Sequence, residues 1–148
     1  MSPRLDFLHT DSTASRWYLA QPSPVVFGAG KTTSIGTTPS IGWVGTPTVT
    51  APQIQITVSN GVPGKPSLAL WSAWPASTPF ANATLWLAAP LHRFAPTVLD
   101  PSGAASYAFP IAPALRGETR VFQVWMRDPL HPDGTGVGLS DALCVRFF

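Results

Sequence analysis

Charge is scarce in this 148-residue chain: 11% of its residues are Asp, Glu, Lys or Arg, where a typical soluble domain carries about 25%. Surface helices put charge on their wet face, so the shortage argues against a helical protein. Cysteine is scarcer still. The one thiol, Cys144, excludes an intrachain disulfide and any zinc site built on several cysteines. Its place in an alternating apolar segment predicts a buried, inert side chain. Long apolar runs are missing too, with no stretch of about 18 consecutive apolar residues, so no membrane span is expected. The opening MSPRLDFLHTDSTASRWYLAQP lacks the apolar centre of a secretory signal. Basic clusters are also absent. The nine Lys and Arg are scattered singly, leaving no stripe to neutralise successive phosphates, and a nucleic-acid partner is not expected.

What the chain has in quantity is punctuation. Seventeen Pro and 12 Gly leave Arg4–Gln21 as the longest stretch free of both, and both residues are costly inside helices. Disorder is opposed by 45% hydrophobic residues and six Trp. Short alternations bounded by turn residues read as strands. In Gln53–Ser59, Ile54, Ile56 and Val58 share one face and Gln55, Thr57 and Ser59 the other. Ser67–Ser72, Ala83–Leu87, Phe94–Leu99, Ser106–Ile111 and Leu143–Phe148 follow, and Val121–Met126 is apolar on both faces apart from Gln123, as a central strand requires. Val25–Phe27 and Arg16–Ala20 are weaker candidates, with a short helix over Ser12–Trp17. The expectation is an all-β single antiparallel β-sandwich, immunoglobulin-like or jelly-roll-like, of about seven to nine strands. Residues 27–148 form its body and 1–26 an N-terminal arm or edge strand.

Candidate chemistry is thin. Gly28-Ala29-Gly30-Lys31-Thr32 resembles the end of a phosphate loop, but Val25 stands where the motif needs its first Gly. The stretch Asp128 to Gly138 gathers Asp128, His131 and Asp133; it matches no metal-ligand spacing and reads as a flexible hairpin tip. His92, Asp100 and Ser102 supply the residue types of a hydrolytic triad without a nucleophile elbow. Neither a catalytic residue, a metal nor a cofactor is assigned. Trp71 and Trp74, placed at a strand end and beyond it, are candidates for stacking on a glycan, while Trp86 and Trp125 lie inside strands and read as core.

Four segments carry a resemblance: FGAGKTTSIGTTPSIGWVGTPT, QIQITVSNGVPGKPSLALWS, TPFANATLWLAAPLHR and FQVWMRDPLHPDGTGVGLSDAL. In order and spacing they are similar to an uncharacterised β domain found at the C-terminal end of large secreted proteins of planctomycetes and similar bacteria. The likeness covers roughly residues 27 to 148, with GLSDAL and QVWMRDP its most specific parts. It implies an extracellular, non-catalytic accessory module and carries over no catalytic residue. Relatives often have cysteines where this chain has Thr37 and Trp86, so the disulfide that they imply is absent here.

The most unusual feature is a desert of charge. From Thr32 to His92 the only charged residue is Lys65. A surface that neutral invites association, since charge normally keeps surfaces apart. Identical subunits are the simplest partner, and Leu5, Phe7, Leu8, Trp17, Tyr18 and Leu19 are candidate assembly contacts, reaching a neighbour by strand addition or folding back as an edge strand. The expected function is a non-enzymatic, self-assembling subunit of an extracellular filament or particle surface; the alternative is a carbohydrate-binding or adhesion module of a secreted protein.

Overall fold

The alternation of Gln53–Ser59 becomes a strand with those same bounds, and its Ile54, Ile56 and Val58 are buried. In the computed structural model, which describes residues 23–148, eleven strands follow in order. They are β1 (Val25–Phe27), β2 (Ser40–Val44), β3 (Gln53–Ser59), β4 (Pro66–Ser72), β5 (Pro75–Phe80) and β6 (Ala83–Leu87). After these come β7 (His92–Arg93), β8 (Thr97–Val98), β9 (Ala105–Pro110), β10 (Thr119–Arg127) and β11 (Val137–Arg146), with one short 3-10 turn at Pro113–Leu115. The chain is all-β and every strand pairing is antiparallel. The expected helix over Ser12–Trp17 and strand over Arg16–Ala20 lie outside the described residues.

One sheet runs β1-β11-β10-β4-β7, with β8 also on β4; a second runs β2-β3-β9; β5 and β6 form a separate hairpin. The main core lies between the first two. Ile54, Ile56, Val58, Tyr107 and Phe109 from the three-stranded sheet meet Ala69, Phe122, Val124, Met126, Leu143 and Val145 from the six-stranded one. Phe109 and Phe122 meet edge to face with centroids 5.0 Å apart, the arrangement that the ring quadrupoles favour. A polar bridge crosses the same core, where the buried hydroxyls of Ser67 and Tyr107 hydrogen-bond and Ser67 donates onward to the Thr97 carbonyl at 2.8 Å. Burial raises the Tyr107 phenol above its ordinary range although that bond opposes the shift.

The hairpin covers the other face of the six-stranded sheet. Leu87 packs with Leu70, Val121 and Ala142, joined by the partly buried Phe27, Leu68, Leu85, Trp86 and Trp125. The one polar residue in the apolar run Val121–Met126 of β10 fastens it there. Gln123 is fully buried; its Oε1 accepts from the Trp86 backbone N–H at 2.9 Å. Its Nε2 donates to the carbonyls of Thr84 (3.1 Å) and Ser140 (2.8 Å). Three partners satisfy an amide that burial would otherwise penalise.

Several expectations need correction. Phe94–Leu99 is not one strand: β7 ends at Arg93 and β8 holds only Thr97 and Val98, since Pro96 has no N–H to give a ladder. The last strand starts at Val137, earlier than its apolar alternation suggests. Its small Gly138 lets β10 close in, as a Cβ there would lie 2.8 Å from Met126 Cγ. β2 and β5 fall outside the alternations read as strands, and β5 contains Pro75 and Pro79. Proline is tolerated in β5 because it is the outer strand of a two-stranded hairpin, with one edge unpaired. The weaker candidate Val25–Phe27 does form a strand, β1, at the sheet edge, with Val25 and Val26 paired to Cys144 and Leu143.

Candidate functional site

Two constellations stand out, one polar and one apolar. The polar one begins at Lys31, which is buried with its Nζ directed at three acceptors. These are Asp133 Oδ2 at 2.6 Å, the Ala81 carbonyl at 2.7 Å and Thr135 Oγ1 at 2.8 Å. An ammonium has three protons to donate, so none is left over. Desolvation works to raise the Asp133 carboxyl, but hydrogen bonds from Lys31 and Thr135 and the lysine charge outweigh it and hold the group well below the usual carboxylate range. His131 lies beside it, with Nδ1 2.9 Å from Asp133 Oδ1 and Nε2 2.9 Å from the Thr32 carbonyl oxygen. Asp128, fully buried, accepts from both the backbone N–H and the hydroxyl of Ser34.

These bonds tie three connections together: the β1–β2 loop, the β5–β6 turn and the β10–β11 loop. The expectation of a flexible tip over Asp128–Gly138 is therefore corrected, because its acids face inward and pin it to the body. The phosphate-loop likeness is explained in the same way, since Lys31 turns onto Asp133 and Ala81. Ala81 and Asn82 both have positive φ, 52° and 58°, the geometry of a tight two-residue hairpin turn. Among the described residues, no group of three or more His, Cys, Asp or Glu is arranged to hold a metal ion. The residues His92, Asp100 and Ser102 have separate employments. His92 stacks on Trp71, while Asp100 Oδ1 accepts from the N–H and hydroxyl of Ser102 and the N–H of Ala104. The hydroxyl bond of Ser102, ahead of the backbone bonds, lowers the Asp100 carboxyl.

The apolar constellation is a groove of about 230 Å³ between the hairpin and the six-stranded sheet. Leu68, Leu70, Phe80, Leu85, Leu91 and Trp125 line it, and Arg93 is its one charged residue. The guanidinium of Arg127 stands 6.0 Å from the Trp125 ring centroid. Neither Arg93 nor Arg127 has an ion-pair partner among the described residues. Sequence reading passed over Arg93, Phe80 and Leu91 because the rest of the groove wall comes from β4 and β10, distant in sequence; the one signal was an arginine directly ending the uncharged stretch.

The tryptophans divide differently from expectation. Trp71 lies at the end of β4, where the sequence places it, and is partly buried. His92 stacks on it at 4.0 Å between centroids, and the Arg120 guanidinium stands over the ring at 5.4 Å. Those neighbours come from β7 and β10, on either side of β4. Trp74 stands 69% exposed just beyond that strand. Trp86 and Trp125 are only partly buried, packed outside the main core against the second cluster. Leu5, Phe7, Leu8, Trp17, Tyr18 and Leu19 lie outside the described residues. Compared with protein-family models, curated proteins and solved structures, the chain matches none.

Proposed function

We propose that this chain is a non-enzymatic structural module that self-associates through its uncharged surface, as a subunit of an extracellular filament or particle surface. The fold it brings to that task is a β-sandwich of immunoglobulin-like or jelly-roll-like type, with an extra hairpin on one face. One observation carries the reading. Ile35, Trp43, Val44, Trp74, Phe80 and Leu91 are exposed, and all lie between Thr32 and His92, where Lys65 is the only charge. Apolar side chains with so few charges among them favour contact with another protein surface over contact with water. The extracellular setting rests on the resemblance to the planctomycete-type domain.

Light scattering coupled to size-exclusion chromatography tests this. The truncation belongs after residue 22, because β1 begins at Val25 and Ser23 hydrogen-bonds the Arg146 backbone. Full-length chain should run above monomer mass, and chain lacking residues 1–22 should associate less. A strictly monomeric full-length protein refutes the proposal. The adhesion alternative now rests on Trp74 alone: glycan-array binding lost in Trp74→Ala and retained in Trp71→Ala would favour it.

A further inference from the structure

The groove has an apolar floor, a cation (Arg93) without an ion-pair partner among the described residues at its rim, and no acid among its lining residues. An occupant that fits is apolar with a single carboxylate. Outside the described residues the chain holds one such segment beside its start, Leu5-Asp6-Phe7-Leu8. Laid in extended form, side chains alternate with a period of two. Leu5 and Phe7 would then enter the groove while Asp6 turns to the rim. We infer that Leu5–Leu8 of one copy occupies the groove of a second copy, with Asp6 on Arg93, which deepens the proposed self-association and rests on it.

The proposed self-association assigns the segment to a second copy rather than to its own groove. Residues 1–22 join the body at Ser23, next to β1, and β1 and the groove's β4 are separated in the sheet by β11 and β10. The outer face over those strands is already taken by β6, whose Leu87 packs on Val121 and Ala142 while Trp86 packs against Phe27. A segment returning to its own groove must detour around the hairpin. A neighbour's segment meets no such obstacle. Charge reversal at the pair, with mixing, separates the cases. Chain carrying Arg93→Glu and chain carrying Asp6→Arg each set like charges against one another when alone. Mixed, each segment meets a groove of opposite sign.

Light scattering on full-length chains at matched concentration should show each variant associating about tenfold more weakly than wild type, and a one-to-one mixture recovering most of that loss; exposed charge pairs are individually weak, but a reversal adds repulsion to the lost attraction. Near-ultraviolet spectra verify that the variants remain folded, Arg93 being exposed. If either variant alone associates like wild type, the groove is not the contact, although self-association stands. If both weaken and mixing restores nothing, the segment does not exchange between copies and the inference fails. A wild-type chain that is itself monomeric removes the proposed function together with the inference.

Discussion

Replacing Gln123 by Met keeps an unbranched side chain of similar length and deletes only its hydrogen bonds. Three partners lose by it: the Trp86 N–H and the carbonyls of Thr84 and Ser140. A typical hydrogen bond contributes about 1 kcal/mol net, and a buried group left without its partner costs about 1–3 kcal/mol. Against this, the thioether adds apolar contact to the cluster of Leu70, Leu87, Val121 and Ala142, a gain of roughly 1 kcal/mol by area. Loss outweighs gain, and Gln123→Met should destabilise the domain by about 2–4 kcal/mol. Set against a total stability of about 5–15 kcal/mol, that shift is easily measured. Urea unfolding followed by tryptophan fluorescence should show a lower midpoint with an unchanged slope. Hydrogen exchange at the Trp86 amide should accelerate, since its acceptor has gone. A loss below about 1 kcal/mol would show that these bonds contribute little net and that apolar packing alone holds the hairpin.

Other perturbations test other parts of the structure. Gly103 has φ +78° and a Cβ there would sit 2.3 Å from the Gly61 carbonyl oxygen, so Gly103→Ala should lower the midpoint by more than the roughly 1–2 kcal/mol of a left-handed alanine alone. Ala81, already an L-residue at φ 52°, should behave in the opposite sense: Ala81→Gly relieves that strain and should raise stability by up to about 1 kcal/mol in the same assay, after the entropy of the added glycine is offset. The Asp133 carboxyl, held below its ordinary value of 3.8, favours the folded state above that value and loses the contribution as pH falls beneath it. Acid titration of stability should therefore show wild type and Asp133→Asn converging below about pH 4; a constant difference down to pH 2 would place the effect elsewhere.

What was legible in the sequence follows physical range. Ile54, Ile56 and Val58 announced their burial because a strand's period of two is written locally. Gln123 was visible as an anomaly, one amide in an apolar strand, although its partners on β6 and β11 were not. Trp71 was legible as a residue near a strand end, and it is the next-to-last residue of β4, paired with Phe122 of β10; the stacking of His92 on its ring was not legible. Lys31 was judged on its glycine neighbours, and nothing local reveals that Asp133 and Ala81 await it. The groove was least legible of all. Its wall draws on β4, the β5–β6 hairpin, Leu91, Arg93 and β10, and no window of sequence contains them together.

The described acids are occupied in ways that bear on how the surface works. Asp100, Asp128 and Asp133 secure loops. Asp141, raised by burial, accepts the Ile41 N–H at 2.7 Å, and Glu118 lies 3.7 Å from Arg120. Lys65, Arg93, Arg116 and Arg127 have no ion-pair partner among the described residues. In the proposed self-association, charge on this surface would select a partner's register and the uncharged apolar side chains would supply most of the affinity. Salt separates the two contributions. At about 1 M ionic strength the screening length is only about 3 Å, so contact between charged surfaces would dissolve. Apolar contact should persist, and sulfate should strengthen it. Wild-type association measured by light scattering should accordingly survive 1 M sodium chloride, even though reversing Arg93 weakens it, because reversal adds repulsion and strands a charge at an apolar rim whereas screening only removes a weak attraction. Dissociation of the wild type by salt alone would identify a charge-driven contact and refute the assignment of the uncharged surface.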